Sequence, residues 1–427
     1  MKEYKTMGKN KLEAEFSSVQ AEYEKIKQRG LSLDMSRGKP SSAQIDCSND
    51  ILTVLQTGDD CRTESGMDAR NYGTLAGIPE ARHFFAELCG VDDENVIVGG
   101  NSSLTMMYDA AVRAMLFGAD ENSAPWIKQG KIKFLCPCPG YDRHFAICGE
   151  LGIEMINIPM LGNGPDMDMI ERLVAEDESI KGIWCVPKYS NPTGVTYSDA
   201  TVRRFAALKP KAKDFRIFWD NAYIVHDFGE PDKILNIFDL TKGTENEDIV
   251  YMFTSTSKIT FPGAGVAAMI SSAHNVKNAL LHMGIQSISY DKINQLRHVK
   301  YFKTPQALIE HMRYHAAILK PKFDIVRSAF ERNLGGLGIA KWTDPHGGYF
   351  ISLDVEEGCA KRVWTLCREA GVTLTSVGAT FPYGKDPHDS NLRIAPSYPT
   401  EAQLSEAAEV LCVCVKLAAI EKILSQR

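Results

Sequence analysis

The chain has 427 residues, 54 acidic against 48 basic side chains for a net charge of −6, and 44% hydrophobic residues. That length suits one large domain with a smaller companion, and the composition is that of a globular enzyme rather than a disordered chain. The mild acidity argues against nucleic acid as the main partner, since backbone phosphates demand a concentrated basic surface.

The opening stretch, MKEYKTMGKNKLEAEF, lacks the apolar centre of a secretory signal. No run approaches the roughly 18 apolar residues of a membrane span, so no membrane association and a cytoplasmic location are expected. The eleven cysteines include Cys136 with Cys138 and Cys412 with Cys414, a one-residue spacing that fits neither zinc nor thioredoxin-type sites. Reduced thiols are the expectation.

Along the chain, Leu12, Phe16, Val19, Tyr23 and Ile26 recur at steps of three and four and predict an amphipathic helix ending near Gly30. Four segments then share one design: KIKFLCPCPGY (131–141), KGIWCVPKYSNPTG (181–194), DFRIFWDNAY (214–223) and DIVYMFTSTSK (248–258). Each is a short, continuously apolar run that ends in a polar or Gly/Pro loop. Continuous rather than alternating hydrophobicity predicts strands buried on both faces, hence a mostly parallel α/β sheet covered by helices. In such sheets the loops leaving the carboxyl ends of the strands build the ligand site. Further on, His311 and His315 stand four apart on a predicted helix, but no third ligand follows in a recognisable pattern and no metal site is expected. Thr400 and Gln403 form a capping-box pattern that opens a final helix.

Taken singly, the polar residues ending these strands are ordinary. Asp220 reads as a turn or cap carboxylate, Asn191-Pro192 as a chain reversal and Lys258 as a surface charge. Their combination is not ordinary. An amine (Lys258), a carboxylate (Asp220) and a pair of donors (Asn191 and Tyr223), each following an apolar strand, are what a pyridoxal-phosphate site requires. The aldehyde needs the amine; the ring acts as an electron sink only while its nitrogen is protonated, which a neighbouring carboxylate favours. The phenolic oxygen of the ring takes the two donors.

The segments SRGKPS, NYGTLAGIPEAR, GGNSSL, STSKITFPGAGVA and NLRIAPS, in this order, resemble fold type I pyridoxal-phosphate aminotransferases and, within them, the subgroup Ic aspartate aminotransferases. The resemblance runs over most of the chain. It implies a large cofactor-binding domain over residues 50–304, and a small α/β domain built from 1–49 together with 305–427. It implies Lys258 as the Schiff-base lysine, Asp220 as partner of the ring nitrogen, Asn191 and Tyr223 at the phenolic oxygen, and Tyr141 stacked on the ring. Asn101, Ser102, Ser255 and Ser257 match the phosphate-binding positions, which suits a dianion placed at a helix N-terminus. Tyr72 matches a residue given to the neighbouring subunit's phosphate, so a homodimer with shared sites is expected. Arg393, with the backbone of Gly38 and the side chain of Asn191, matches the clamp for a substrate α-carboxylate, where a guanidinium makes two parallel hydrogen bonds.

The sequence departs from most of the superfamily in one respect, because Gly265 stands where an arginine commonly pairs with the cofactor phosphate. Lys292, Arg297, Lys300, Arg37 and Lys39 are the cations available to replace it or to bind a distal carboxylate. The expected function is ping-pong transfer of an amino group between an amino acid, with L-aspartate or L-glutamate favoured, and a 2-oxo acid. Other carbanion chemistry on the same cofactor (β-elimination, decarboxylation), transamination of non-acidic amino acids, and a cofactor-sensing regulator are the alternatives. The roughly 37 residues before the RGKP segment are too few and too weakly basic for a DNA-binding module with a linker.

Overall fold

The computed structural model describes residues 3–427. The apolar runs lie side by side in an eight-stranded sheet whose spatial order is Val96–Val98, Ala267–Ile270, Val250–Ser255, Arg216–Asp220, Ile180–Cys185, Lys133–Cys138, Glu154–Leu161 and Gly164–Pro165. From Val250–Ser255 across to Glu154–Leu161 every pairing is parallel, whereas Ala267–Ile270 runs antiparallel to both neighbours. Every residue of Ile180–Cys185, Arg216–Asp220 and Val250–Ser255 is buried, which is the physical reason their sequences do not alternate.

The charged residues at the amino ends of these strands are paired. Lys181 Nζ lies 2.7 Å from Asp214 Oδ1, and Asp214 Oδ2 also accepts from Trp126 Nε1 at 2.9 Å. Arg216 Nη2 donates to Asp120 Oδ2 at 2.8 Å. The carboxyl ends of the strands carry the remaining polar side chains, Asp220 and Ser255 among them.

A separate apolar core gathers both ends of the chain. Leu12, Val19 and Tyr23 of the Lys9–Lys27 helix pack with Phe330 of the Pro305–Leu334 helix and Leu411 of the Glu401–Ser425 helix. Gly30, at φ +63°, turns the chain after the first helix, in the left-handed region a glycine adopts without strain. Thr400 and Gln403 form the capping box that the sequence predicts. Beside this core lie a three-stranded antiparallel sheet, ordered Ala340–Trp342, Ile351–Val355 and Asn391–Ile394, and a short parallel pairing of Leu33–Asp34 with Val372–Thr373. Among the described residues no helix is long and apolar enough to cross a membrane.

His311 and His315 are used inside the fold. His311 Nε2 lies 3.2 Å from Ser48 Oγ and 3.3 Å from the Ile259 carbonyl, and His315 Nδ1 lies 3.2 Å from Gln44 Nε2. Burial pushes both rings down, His315 to about 4, so both are neutral donors and acceptors near pH 7.

The Lys181–Asp214 pair generates a stability prediction. Asp214→Ala leaves a buried ammonium without its counter-charge and should destabilise the protein by about 3–5 kcal/mol, read as a lowered denaturant midpoint. The double replacement Lys181→Met with Asp214→Leu should recover most of that loss; equal damage from the single and double variants would refute the electrostatic account.

Candidate active site

The carboxyl ends of four parallel strands open onto one cavity of about 240 Å³. Lys258 enters it from the turn that follows Val250–Ser255. Its Nζ stands 5.1 Å from the ring centroid of Tyr223 and 5.9 Å from that of Tyr349. Burial lowers the pKa of this amine, and the Asp220 carboxylate opposes the shift only in part. The main chain beneath it is held as well: the Lys258 carbonyl lies 3.5 Å from Tyr349 Oη and 3.4 Å from His226 Nε2. Gln44 Nε2 donates to the same Tyr349 oxygen at 2.8 Å.

Asp220 ends the Arg216–Asp220 strand and is buried. Its Oδ2 lies 3.0 Å from His144 Nε2, and Oδ1 is buried with no partner in the protein. A buried carboxylate oxygen left unpaired costs free energy, so this atom fits a donor brought by a bound group. The His144 ring stacks on Trp184, with centroids 4.5 Å apart and planes 11° apart, and meets the edge of Tyr141 at 5.0 Å. Tyr141 caps the Asp142–Glu150 helix and lines the cavity, and burial raises its phenol pKa. Tyr223 is buried too, its phenol pushed well above the usual value, and it stacks with Tyr349 at 6.1 Å. Asn191, from the loop after Ile180–Cys185, lines the same space.

One corner of the cavity is made for an anion. Ser102 is the N-cap residue of the 15-residue Ser103–Phe117 helix, whose free amide groups and dipole favour negative charge. Opposite it, Ser255 Oγ and Ser257 Oγ are 3.1 Å apart, and Ser257 Oγ donates to the Asn101 carbonyl at 3.0 Å. Asn101 therefore contributes its backbone, and its exposed side chain does not line the cavity.

Arg393, the expected carboxylate clamp, does not itself line this cavity but touches Asn191 and Phe350, which do. Its Nη1 donates to Asp142 Oδ1 at 2.7 Å and approaches Asn191 Oδ1 at 3.5 Å, and its Cζ stands 5.0 Å from the Phe350 ring centroid. A Cβ on Gly38 would collide with that same ring, so the residue there must be glycine. Tyr72 is 78% exposed and outside the cavity of its own chain. Of the spare cations, Lys300 donates to the Asp60 carbonyl, Lys39 lies over the Tyr398 ring at 3.8 Å, and Arg297 donates to Asn294 Oδ1. Lys292 is buried with a lowered pKa, and none of the five lines the cavity.

The structure thus brings together Lys258, Asp220, Tyr223, Asn191, Tyr141, Ser102, Ser255, Ser257 and Gly38. His144, Tyr349, Phe350 and Ser103 are additions that sequence reasoning missed. His144 alone had a local signal, standing three residues after Tyr141, the N-cap residue of its helix. The set can anchor an aldehyde, receive a protonated ring nitrogen and cradle a phosphate.

Known proteins bear on this geometry. The family model described as aspartate amino-transferase matches residues 7–427. The aspartate aminotransferase of Corynebacterium glutamicum is 44% identical over 94% of this chain and 93% of its own length. A crystal structure of an aspartate transaminase from the same organism superposes with a TM-score of 0.96 at 42% identity, covering 99% of both chains. A multiple substrate aminotransferase of Thermococcus profundus shares the fold at a TM-score of 0.74 and 20% identity, over 93% of this chain and 94% of that one. A match along nearly the whole chain, on a fold whose strand ends gather an amine, a buried carboxylate and an anion cradle, shows that this protein belongs to the aspartate aminotransferase family and is a fold type I aminotransferase.

Proposed function

We propose that the cavity binds pyridoxal phosphate and that the protein moves an amino group between an acidic amino acid, L-aspartate or L-glutamate, and a 2-oxo acid by a ping-pong route. The observation that carries this reading is the orphan oxygen of Asp220 in the same cavity as an amine of lowered pKa. Bound there, the cofactor supplies an electron sink for the charge left on the substrate's α-carbon when its proton departs. Asp220 Oδ1 would accept from the ring nitrogen and favour its protonated form, while His144 holds Oδ2. Tyr223 and Asn191 would donate to the phenolic oxygen, and Ser255, Ser257 and the backbone at Ser102 and Ser103 would hold the phosphate.

Lys258 has two duties, tether and base. An amine that sheds its proton below the ordinary lysine range would hold the cofactor's aldehyde carbon and, when free, could take the substrate's α-proton on Nζ. Arg393 grips the α-carboxylate and sets the direction in which that proton leaves. Residues 50–304 carry the cofactor, and 1–49 with 305–427 close over the substrate. The active form is a homodimer in which Tyr72, exposed in one chain, completes the phosphate site of the other. The eleven cysteines are unpaired thiols, which supports a reducing, cytoplasmic setting.

The test is the visible spectrum of the protein supplied with pyridoxal phosphate. The cofactor band should bleach with L-aspartate and return with 2-oxoglutarate, and Lys258→Ala should abolish turnover, with a loss of at least roughly 10²–10⁴-fold. A band that ignores both acidic amino acids would refute the substrate class, and the absence of any band would refute the cofactor. Asp220→Asn should keep the band but lower kcat by roughly 10²–10³-fold, the scale for removing one preorganised electrostatic partner. Turnover unchanged in that variant would remove Asp220 from the reading.

Lys258 also generates a pH prediction for the cofactor-free protein. Because its folded pKa lies below the unfolded one, the unfolded chain binds the extra proton and wild-type stability rises with pH across that interval. Lys258→Met should therefore be the more stable protein at neutral pH, and its advantage should vanish as pH rises past the ordinary lysine value. A constant difference across that range in paired urea titrations would contradict the assignment.

A further inference from the structure

Arg393 has a side-chain exposure of 9%, and a guanidinium so far removed from water needs a counter-charge. Within the chain that charge is Asp142, at 2.7 Å from Nη1. The Nε of the same guanidinium is buried with no partner, so a donor remains unused.

Asp142 is not what fixes Arg393 in place. The backbone of Arg393 is held in the Asn391–Ile394 strand, paired with Ser352, and its guanidinium rests on the Phe350 ring, itself wedged against Gly38. Asp142 is situated differently. Its side chain is 35% exposed, and it is the first residue of the Asp142–Glu150 helix, where the positive end of the dipole favours a carboxylate. Parting is therefore unequal in cost: Asp142 can rehydrate where it stands, whereas Arg393 cannot go unpaired without a large penalty.

We propose that Asp142 is a displaceable counter-ion of the carboxylate clamp. It neutralises Arg393 and gives up Nη1 to an arriving α-carboxylate, so that affinity is set by two carboxylates competing for one guanidinium. The inference rests on the reading of Arg393 as the α-carboxylate clamp. Such competition weakens the hold on substrate and product alike and leaves the proton transfer at Lys258 untouched. It also keeps the buried cation compensated between one carboxylate's departure and the next one's arrival.

The test uses maleate, a dicarboxylate with no amino group to transfer, titrated by calorimetry into the cofactor-loaded full-length protein. Asp142→Asn should bind maleate about tenfold more tightly than wild type, the scale of exchanging one charge-assisted hydrogen bond for a neutral one. Asp142→Ser, which also lacks the charge, should move the same way and serves if the asparagine variant folds poorly. In steady-state assays KM for L-aspartate should fall while kcat stays constant, a split that general structural damage would not give. Binding no tighter than wild type in the variants, including no binding by any of them, overturns the proposal. Arg393→Gln separates the two levels: if it loses maleate while the Asp142 variants gain nothing, the clamp survives and the counter-ion role does not. If it binds maleate as wild type does, the clamp reading itself fails and takes this proposal with it.

Discussion

A carboxylate at the end of a fully buried strand must be satisfied on both oxygens, and Asp220 is satisfied by the protein on only one. The rest of the site can be understood from that constraint. His144 takes Oδ2 and is held in place by stacking on Trp184, so the carboxylate cannot rotate to share one donor between its two oxygens. Oδ1 is left pointing to a need that only a bound donor meets. The rings of Tyr223 and Tyr349 flank Lys258, whose burial lowers its pKa. One buried group thereby keeps a free acceptor, and its surroundings keep an amine of lowered pKa, in the same cavity.

The two ends of the sheet treat buried charge in opposite ways. At the amino ends Lys181 meets Asp214 and Arg216 meets Asp120, each an ion pair within the protein. At the carboxyl ends Asp220 and Lys258 are brought into one cavity without closing on each other through a salt bridge. A paired charge contributes to structure and an unpaired one to binding, so the parallel sheet has a structural edge and a chemical edge. The polarity follows from chain direction, since each parallel strand delivers its outgoing loop to the same side.

This direction is also why so much was legible in the sequence. A continuously apolar run announces a buried strand, and the residue that ends it is adjacent in sequence, so the combination of Asp220, Tyr223, Asn191 and Lys258 could be read together, and all four line one cavity. The first helix and the capping box at Thr400 were readable for the same reason: their signals lie within a few residues. What could not be read depends on distance along the chain. Asp142 and Arg393 are 251 residues apart, and Gln44 reaches Tyr349 across 305. Neither contact leaves a periodic or compositional trace. Tyr349 and Phe350 lie in a stretch that reads only as apolar core, and their roles arise because Lys258 and Gly38 approach from elsewhere. Lys300 was a reasonable cation to consider by type, but its amine is engaged by the Asp60 carbonyl, away from the cavity.

Gly265 shows how far a missing side chain can be understood. A Cβ there would lie 3.2 Å from the nitrogen and Cα of Ser257 and 3.3 Å from the Asn101 carbonyl, tighter than most such contacts, so these neighbours would have to give way slightly. The glycine lets the serine turn press against the loop that precedes the Ser103–Phe117 helix, bringing Ser257 Oγ within 3.0 Å of Asn101. An arginine rooted at this position would push those two walls of the anion corner apart. Hydroxyls and helix amides thus lie close around this corner. The backbone itself is fixed from behind by Asn294, whose Nδ2 donates to the carbonyls of Ala264 and Gly265 at 3.0 and 2.8 Å. Arg297 in turn donates to Asn294 Oδ1, so a cation stands one amide removed from Gly265.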